Sequence, residues 1–184
     1  MVLLHSEMVK LGTKAHDFSL KGIDGITHSL QGFAHFRVLV IIFMCNHCPY
    51  VQAVWPRLNE LQKKYNGKGI QLVGINPNVG NPIFPQDNFE EMKRAPERFG
   101  LNFPYLTDEK QTVAKKYHAV CTPDIFVYNA KHELVYRGRV DDNWEEPEKI
   151  TTHDLEDAIK ALLKGKKIAE VQHPSMGCSI KWLE

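Results

Sequence analysis

Cys45-Asn46-His47-Cys48 is the stretch of this 184-residue chain whose residue types and spacing can do chemistry. Two thiols separated by two residues at the start of a helix lie within bonding reach, so they can form and break a disulfide. The same spacing is half of a zinc site. Pro49 follows where the pattern puts the first helical position, at which a missing N–H costs nothing, and Cys48 is left at the cap. Unpaired N–H groups and the positive end of the helix dipole favour an anion there, which makes a cysteine reactive. His47, between the thiols, would as a cation stabilise thiolate and the reduced pair; a solvent-facing turn histidine is the other reading. Cys121, just before Thr122-Pro123, and Cys178, beside Gly177, are each either an inert structural thiol or an accessory redox centre.

The elements around these residues are legible in the apolar pattern. Val38 to Phe43 is a continuous, mostly β-branched run, which predicts a strand buried on both faces of a sheet. From Tyr50 to about Tyr65, Val51, Val54, Leu58, Leu61 and Tyr65 recur at helical spacing. Gly67-Lys68-Gly69 stops that helix, and Ile70 to Ile75 predicts a second buried strand, completing a right-handed parallel unit. Upstream, residues 18–30 alternate around Asp24-Gly25 and predict a hairpin. The loop Asn76 to Gln86, with three prolines and a glycine, is long for a compact α/β domain, and such loops tend to be functional. Asp87 or Asn88 is placed to cap a helix that Pro96 must kink or divide. A short strand, 102–106, and a helix from Asp108 carrying Val113, Ala114 and Tyr117 precede Cys121. Residues 124–128 and 133–137 predict an antiparallel hairpin, and residues 153–163 a final helix. Residues 166–184 show little period and read as a tail packed on a single domain spanning 10–165. Arg137 and Arg139, beside Asp141 and Asp142, read as surface ion pairs, with binding of substrate or peroxide as the alternative.

Composition narrows the function. At 43% hydrophobic the chain supports one sizeable core. With 23 basic and 22 acidic residues there is no electrostatic footprint for nucleic acid. No apolar run approaches a membrane span, and the N-terminal stretch lacks the features of a secretory signal. Four cysteines in a chain of this size do not make a disulfide framework, so a cytoplasmic protein with a redox or metal-binding pair is the expectation. Zinc normally takes four protein ligands, and the nine scattered histidines offer no second half-site, so no resident metal or other cofactor is expected.

The order hairpin, strand, CxxC helix, strand, helix, Thr-Pro, hairpin, helix resembles the thioredoxin superfamily, in the branch that includes peroxiredoxins of the alkyl hydroperoxide reductase and thiol-specific antioxidant type. The segments FMCNHCPYV, CTPDIFVY, YRGRVDD and PSMGCSIKW are similar to bacterial thioredoxin-like, redoxin-domain proteins. The resemblance implies an α/β fold, a central mixed sheet flanked by helices, with an N-terminal hairpin extension and a C-terminal tail. It implies a cis bond before Pro123 beside the cysteine pair, with Cys121 nearby and Thr122 offering its backbone to a bound substrate. The implied activity is thiol–disulfide exchange through Cys45 and Cys48, with His47 assisting, on a disulfide- or peroxide-containing substrate and with a thiol reductant as partner. A thiol peroxidase and a copper or zinc carrier are the alternatives. The chain departs from thioredoxin in having no carboxylate on the strand before Cys45, which leaves proton transfer to His47 or Asp124. It departs from peroxiredoxins in placing Cys45 where a threonine or serine binds peroxide. By motif analogy Cys45 attacks; by cap physics Cys48 does.

Overall fold

The computed structural model describes residues 2–183. In chain order the elements are β1 (Leu3–His5), β2 (Ser19–Lys21), β3 (Thr27–Ser29), β4 (Val38–Phe43), α1 (Pro49–Tyr65), β5 (Ile70–Asn76), α2 (Phe89–Lys93), α3 (Ala95–Phe99), β6 (Tyr105–Thr107), α4 (Thr112–Lys116), β7 (Cys121–Thr122), β8 (Asp124–Asn129), β9 (Leu134–Arg137), α5 (Asp154–Leu163) and β10 (Met176–Ser179). The main sheet is mixed, in the order β6-β5-β4-β8-β9. Its centre, β4, pairs in parallel with β5 and antiparallel with β8.

Successive side chains of a strand point to opposite faces, so the apolar run of β4 feeds two cores. Val38, Val40 and Ile42 pack with Val51, Val54 and Leu58 of α1 and Leu155 and Ile159 of α5. Leu39, Ile41 and Phe43 pack with Val113, Ala114 and Tyr117 on the opposite side. The periodic face expected for α1 is the buried one. β2 and β3 form the expected hairpin; the helix capped by the Asn88 side chain, α2, ends before Arg94, and Pro96 sits in the first turn of α3. Among the described residues no helix is long and apolar enough to cross a membrane.

The sequence reading is corrected at several points, beginning with β6, which starts at Tyr105 rather than 102, and α4, which starts at Thr112 rather than Asp108. The stretch after residue 166 is not irregular throughout: β10 lies between β1 and β7 in a separate three-stranded sheet. Four residues, one of them glycine, are too few to show an alternation. Arg137 is not a surface residue. It and Asp124 are both fully buried, joined at 3.1 Å, and the Arg137 guanidinium lies 4.1 Å from the centre of the Phe126 ring. Arg139 does sit nearer the surface, paired with Asp154 at 2.6 Å.

Candidate active site

β4 ends at Phe43 and α1 begins at Pro49, so the five residues between carry the thiols across the strand-to-helix turn. Pro49 takes the first helical position and Cys48, with extended backbone (φ −75°, ψ 119°), is the cap. Cys48 Sγ lies 2.9 Å from Cys178 Sγ and 3.0 Å from the Thr122 carbonyl oxygen. Cys45 Sγ lies 3.4 Å from Thr122 Oγ1 and 3.7 Å from His47 Nδ1. The Thr122–Pro123 bond is cis. Thus Cys45, Cys48, His47, Thr122 and Cys178 meet at one place, and Cys45 and Cys48 are both buried.

Environment drives the two thiols of the pair apart. A hydrogen bond from Cys45 is the main force bringing the Cys48 thiol down to about 5; burial opposes it, and hydrogen bonds from the Cys178 thiol and from the Val51 and Cys178 backbone add to it. The Thr122 carbonyl works the other way, since it accepts from a thiol and repels a thiolate. Cys45 is raised well above the usual thiol range, first by burial, then by its hydrogen bond to Cys48 and the charge of Asp87. Burial likewise pushes Cys178 up to about 12. Of the two thiols of the pair, Cys48 is therefore the more acidic, chiefly through the Cys45 hydrogen bond.

Cys121 is different. Its neighbour Thr122 turns toward Cys45, so strand alternation turns the Cys121 side chain away. Burial raises its thiol too, and its Sγ donates to the backbone oxygen of Pro123, at 3.6 Å. Asp124 is equally committed elsewhere: Oδ2 accepts from Arg137 and from the Val120 N–H, and burial pushes the carboxyl up to about 7.

The residue that sequence reasoning missed is Asp87. It is fully buried, and one carboxylate oxygen accepts from the backbone N–H groups of Asn46 (2.7 Å) and His47 (3.1 Å), while the other is hydrogen-bonded to His47 Nδ1. The long loop after β5 delivers it. Asn76 Nδ2 donates to the Asp87 carbonyl at 3.0 Å, and Phe84 stacks on the His47 ring at 4.6 Å between centroids. The carboxylate absent from β4 is thus supplied from sequence 40 residues beyond His47; that absence was the available signal. Cys45, His47 and Asp87 also bring a sulfur, a nitrogen and an oxygen within 4.8 Å of one another. Three donors leave a tetrahedral ion one short, and the His47–Asp87 hydrogen bond competes for the same nitrogen.

A cavity of about 260 Å³ opens beside the turn, lined by Tyr50, Val54, Pro123, Trp144 and Met176 among others. The edge of β7 itself is covered. β10 pairs along it, with Cys178 opposite Thr122 and Ser179 opposite Cys121. Thr122 was expected to offer that backbone to a substrate; here the chain's own strand takes it.

A central mixed sheet between two helical layers, with a dithiol at a helix start facing a cis-proline, defines a thiol-redox protein of the thioredoxin fold. The chain belongs to the Redoxin family, which it matches over residues 10–159. It is 40% identical to an uncharacterized conserved protein from Geobacillus kaustophilus whose crystal structure superposes with a TM-score of 0.94, over 100% of this chain and 97% of that one. It is 29% identical to the thiol-disulfide oxidoreductase ResA of Geobacillus kaustophilus (strain HTA426), over 68% of this chain and 67% of the relative. A Helicobacter pylori (strain J99) protein provisionally named peroxiredoxin bcp is 26% identical over 61% of this chain and 68% of its own length.

Proposed function

We infer that the protein is a thiol–disulfide oxidoreductase in which Cys48 is the nucleophile. The observation that carries this reading is the place of Cys48: it caps α1 in contact with two other thiols, with its own thiol held far below theirs. The Cys48 thiolate attacks one sulfur of a substrate disulfide, forming a mixed disulfide and releasing the other sulfur as thiolate. Cys45 then gives up its proton, attacks Cys48 Sγ and releases the second substrate thiolate, leaving a Cys45–Cys48 disulfide. The hydrogen-bonded His47–Asp87 pair, with His47 Nδ1 3.7 Å from Cys45 Sγ, is the proton acceptor beside Cys45. An external thiol returns the pair to the reduced state. The relatives named as a thiol-disulfide oxidoreductase and a peroxiredoxin support thiol-dependent redox chemistry.

Peroxide reduction is the second reading, favoured by one observation: both Cys45 and Cys48 are closed off from solvent, so a small oxidant reaches them more easily than a protein disulfide. Cys48 would become a sulfenic acid and a neighbouring thiol would expel water from it. Turnover decides between the two. Reduced protein with a thiol reductant is expected to reduce the disulfides of insulin, with loss of at least about a hundredfold in Cys48→Ser. Turnover of hydrogen peroxide with no insulin reduction would replace the first reading with the second. One zinc or copper per purified chain, lost in Cys45→Ser, would replace both with a metal carrier.

A further inference from the structure

The strand β10 carries a cysteine to the position where a substrate disulfide would have to sit. A peptide pairing antiparallel with the Thr122 backbone would place its residue opposite Thr122 against Cys48. In this chain that residue is Cys178, with its Sγ 2.9 Å from Cys48 Sγ. The approach is built into the backbone. A Cβ added at Gly177 would lie 2.0 Å from the Thr122 carbonyl oxygen and 3.1 Å from Pro123 Cδ, so only glycine lets β10 come this close to the cis-proline. β10 is held from its other side as well, by β1, in the register Leu3 to Cys178 and His5 to Met176.

We propose that Cys178 is a third reacting thiol and β10 a resident substrate strand, so that Cys48 exchanges between a Cys45–Cys48 and a Cys48–Cys178 disulfide. The inference rests on Cys48 being the attacking thiol. Once Cys48 holds half of a substrate disulfide, Cys178 passes its proton to the thiolate already released, attacks Cys48 Sγ and expels the second substrate thiolate. The two electrons that reduce the substrate come from Cys48 and Cys178, whose sulfurs are now bonded. Cys45, deprotonated through His47, can then attack Cys48 Sγ, which frees the Cys178 thiol and forms Cys45–Cys48 with no further net electron transfer. The buried pair thereby gains a partner on the central strand of the small sheet.

Full-length Cys45→Ser protein, treated with one equivalent of oxidised glutathione and mapped as peptides without reduction, tests the proposal. The expected result is a chain two hydrogens lighter, with no retained glutathione and with the peptides of Cys48 and Cys178 linked. In Cys45→Ser/Cys178→Ser the glutathione adduct on Cys48 is expected to persist at least about tenfold longer. Cys45→Ser/Gly177→Val keeps the Cys178 thiol but forces β10 outward, and is expected to hold the adduct in the same way. A lasting glutathione adduct at Cys48 in Cys45→Ser, with Cys178 still open to alkylation, would overturn the proposal while leaving Cys48 as the nucleophile. Failure of Cys48 to react in any of the three variants would overturn both.

Discussion

At the scale of single residues, three positions separate a reactive thiol from an inert one. Cys48 has the helix start and two thiol neighbours, whereas Cys45 has burial and the charge of Asp87. Because the Cys45 hydrogen bond is the main cause of the low Cys48 value, removing that donor must raise it. Alkylation of Cys48 in the native chain is expected to reach half its plateau near pH 5, above which the thiolate dominates. Cys45→Ala is expected to move that midpoint upward and Cys45→Ser, which keeps a hydroxyl donor, to move it less; equal midpoints would refute the hydrogen-bond account. Asp87→Asn removes a negative charge near Cys45, so in a Cys48→Ser background the Cys45 midpoint is expected to fall. A rise would mean that orientation of His47 matters more than the charge.

At the scale of elements, the parts legible in the sequence are those with a period or a strong local cue. β4 is a run of six apolar residues, α1 has its apolar spacing and Pro49, and the β2–β3 turn has Asp24-Gly25. β10 gives no such cue, being four residues long with Gly177 and Cys178 at its centre. Asp87 is a single carboxylate at the end of an aperiodic loop, and only the folded path of that loop brings it under His47. The length of the loop, not its content, was the signal that it had a task. Gly177 supplies the sharpest test at this scale. Gly177→Ala pushes its Cβ against the Thr122 carbonyl, so β10 must shift. A stability loss of about 1–3 kcal/mol in denaturant titration is expected, the usual cost of overpacking, together with faster alkylation of Cys178. Unchanged alkylation would show that β10 does not need this approach to stay in place.

At the scale of the whole molecule, Asp124 and Arg137 couple β8 to β9 through the interior, and the residues flanking Arg137 disguised it as part of a surface charge cluster. Removing one member of a buried pair strands the other charge. Asp124→Ala is therefore expected to cost about 3–5 kcal/mol by denaturant titration, a large part of a typical folding free energy of about 5–15 kcal/mol. A cost under about 1 kcal/mol would mean that water reaches Arg137 in the folded state. Redox state should also register globally. A Cys48–Cys178 disulfide joins positions 130 residues apart, for which loop closure alone predicts about 5 kcal/mol of stabilisation, against about 2 kcal/mol for the short Cys45–Cys48 loop. Cys45→Ser protein oxidised to the Cys48–Cys178 form is expected to unfold at higher denaturant than native protein oxidised to Cys45–Cys48.

The small sheet has a mechanical side. β1 and β10 run antiparallel, and their outermost bond, from the Ser179 N–H to the Val2 carbonyl, lies at the ends leading out to both termini. Tension on the N-terminal end therefore opens this pair like a zipper, beginning at Leu3 and Cys178, while bonds from Ile180, Lys181 and Leu183 to Val120, Asn78 and Gln111 hold the other end to the body of the protein. A pull too weak to unfold the domain would strip β1 away and leave Cys178 opposite Thr122, so that the strand carrying the third thiol is held by β7 alone.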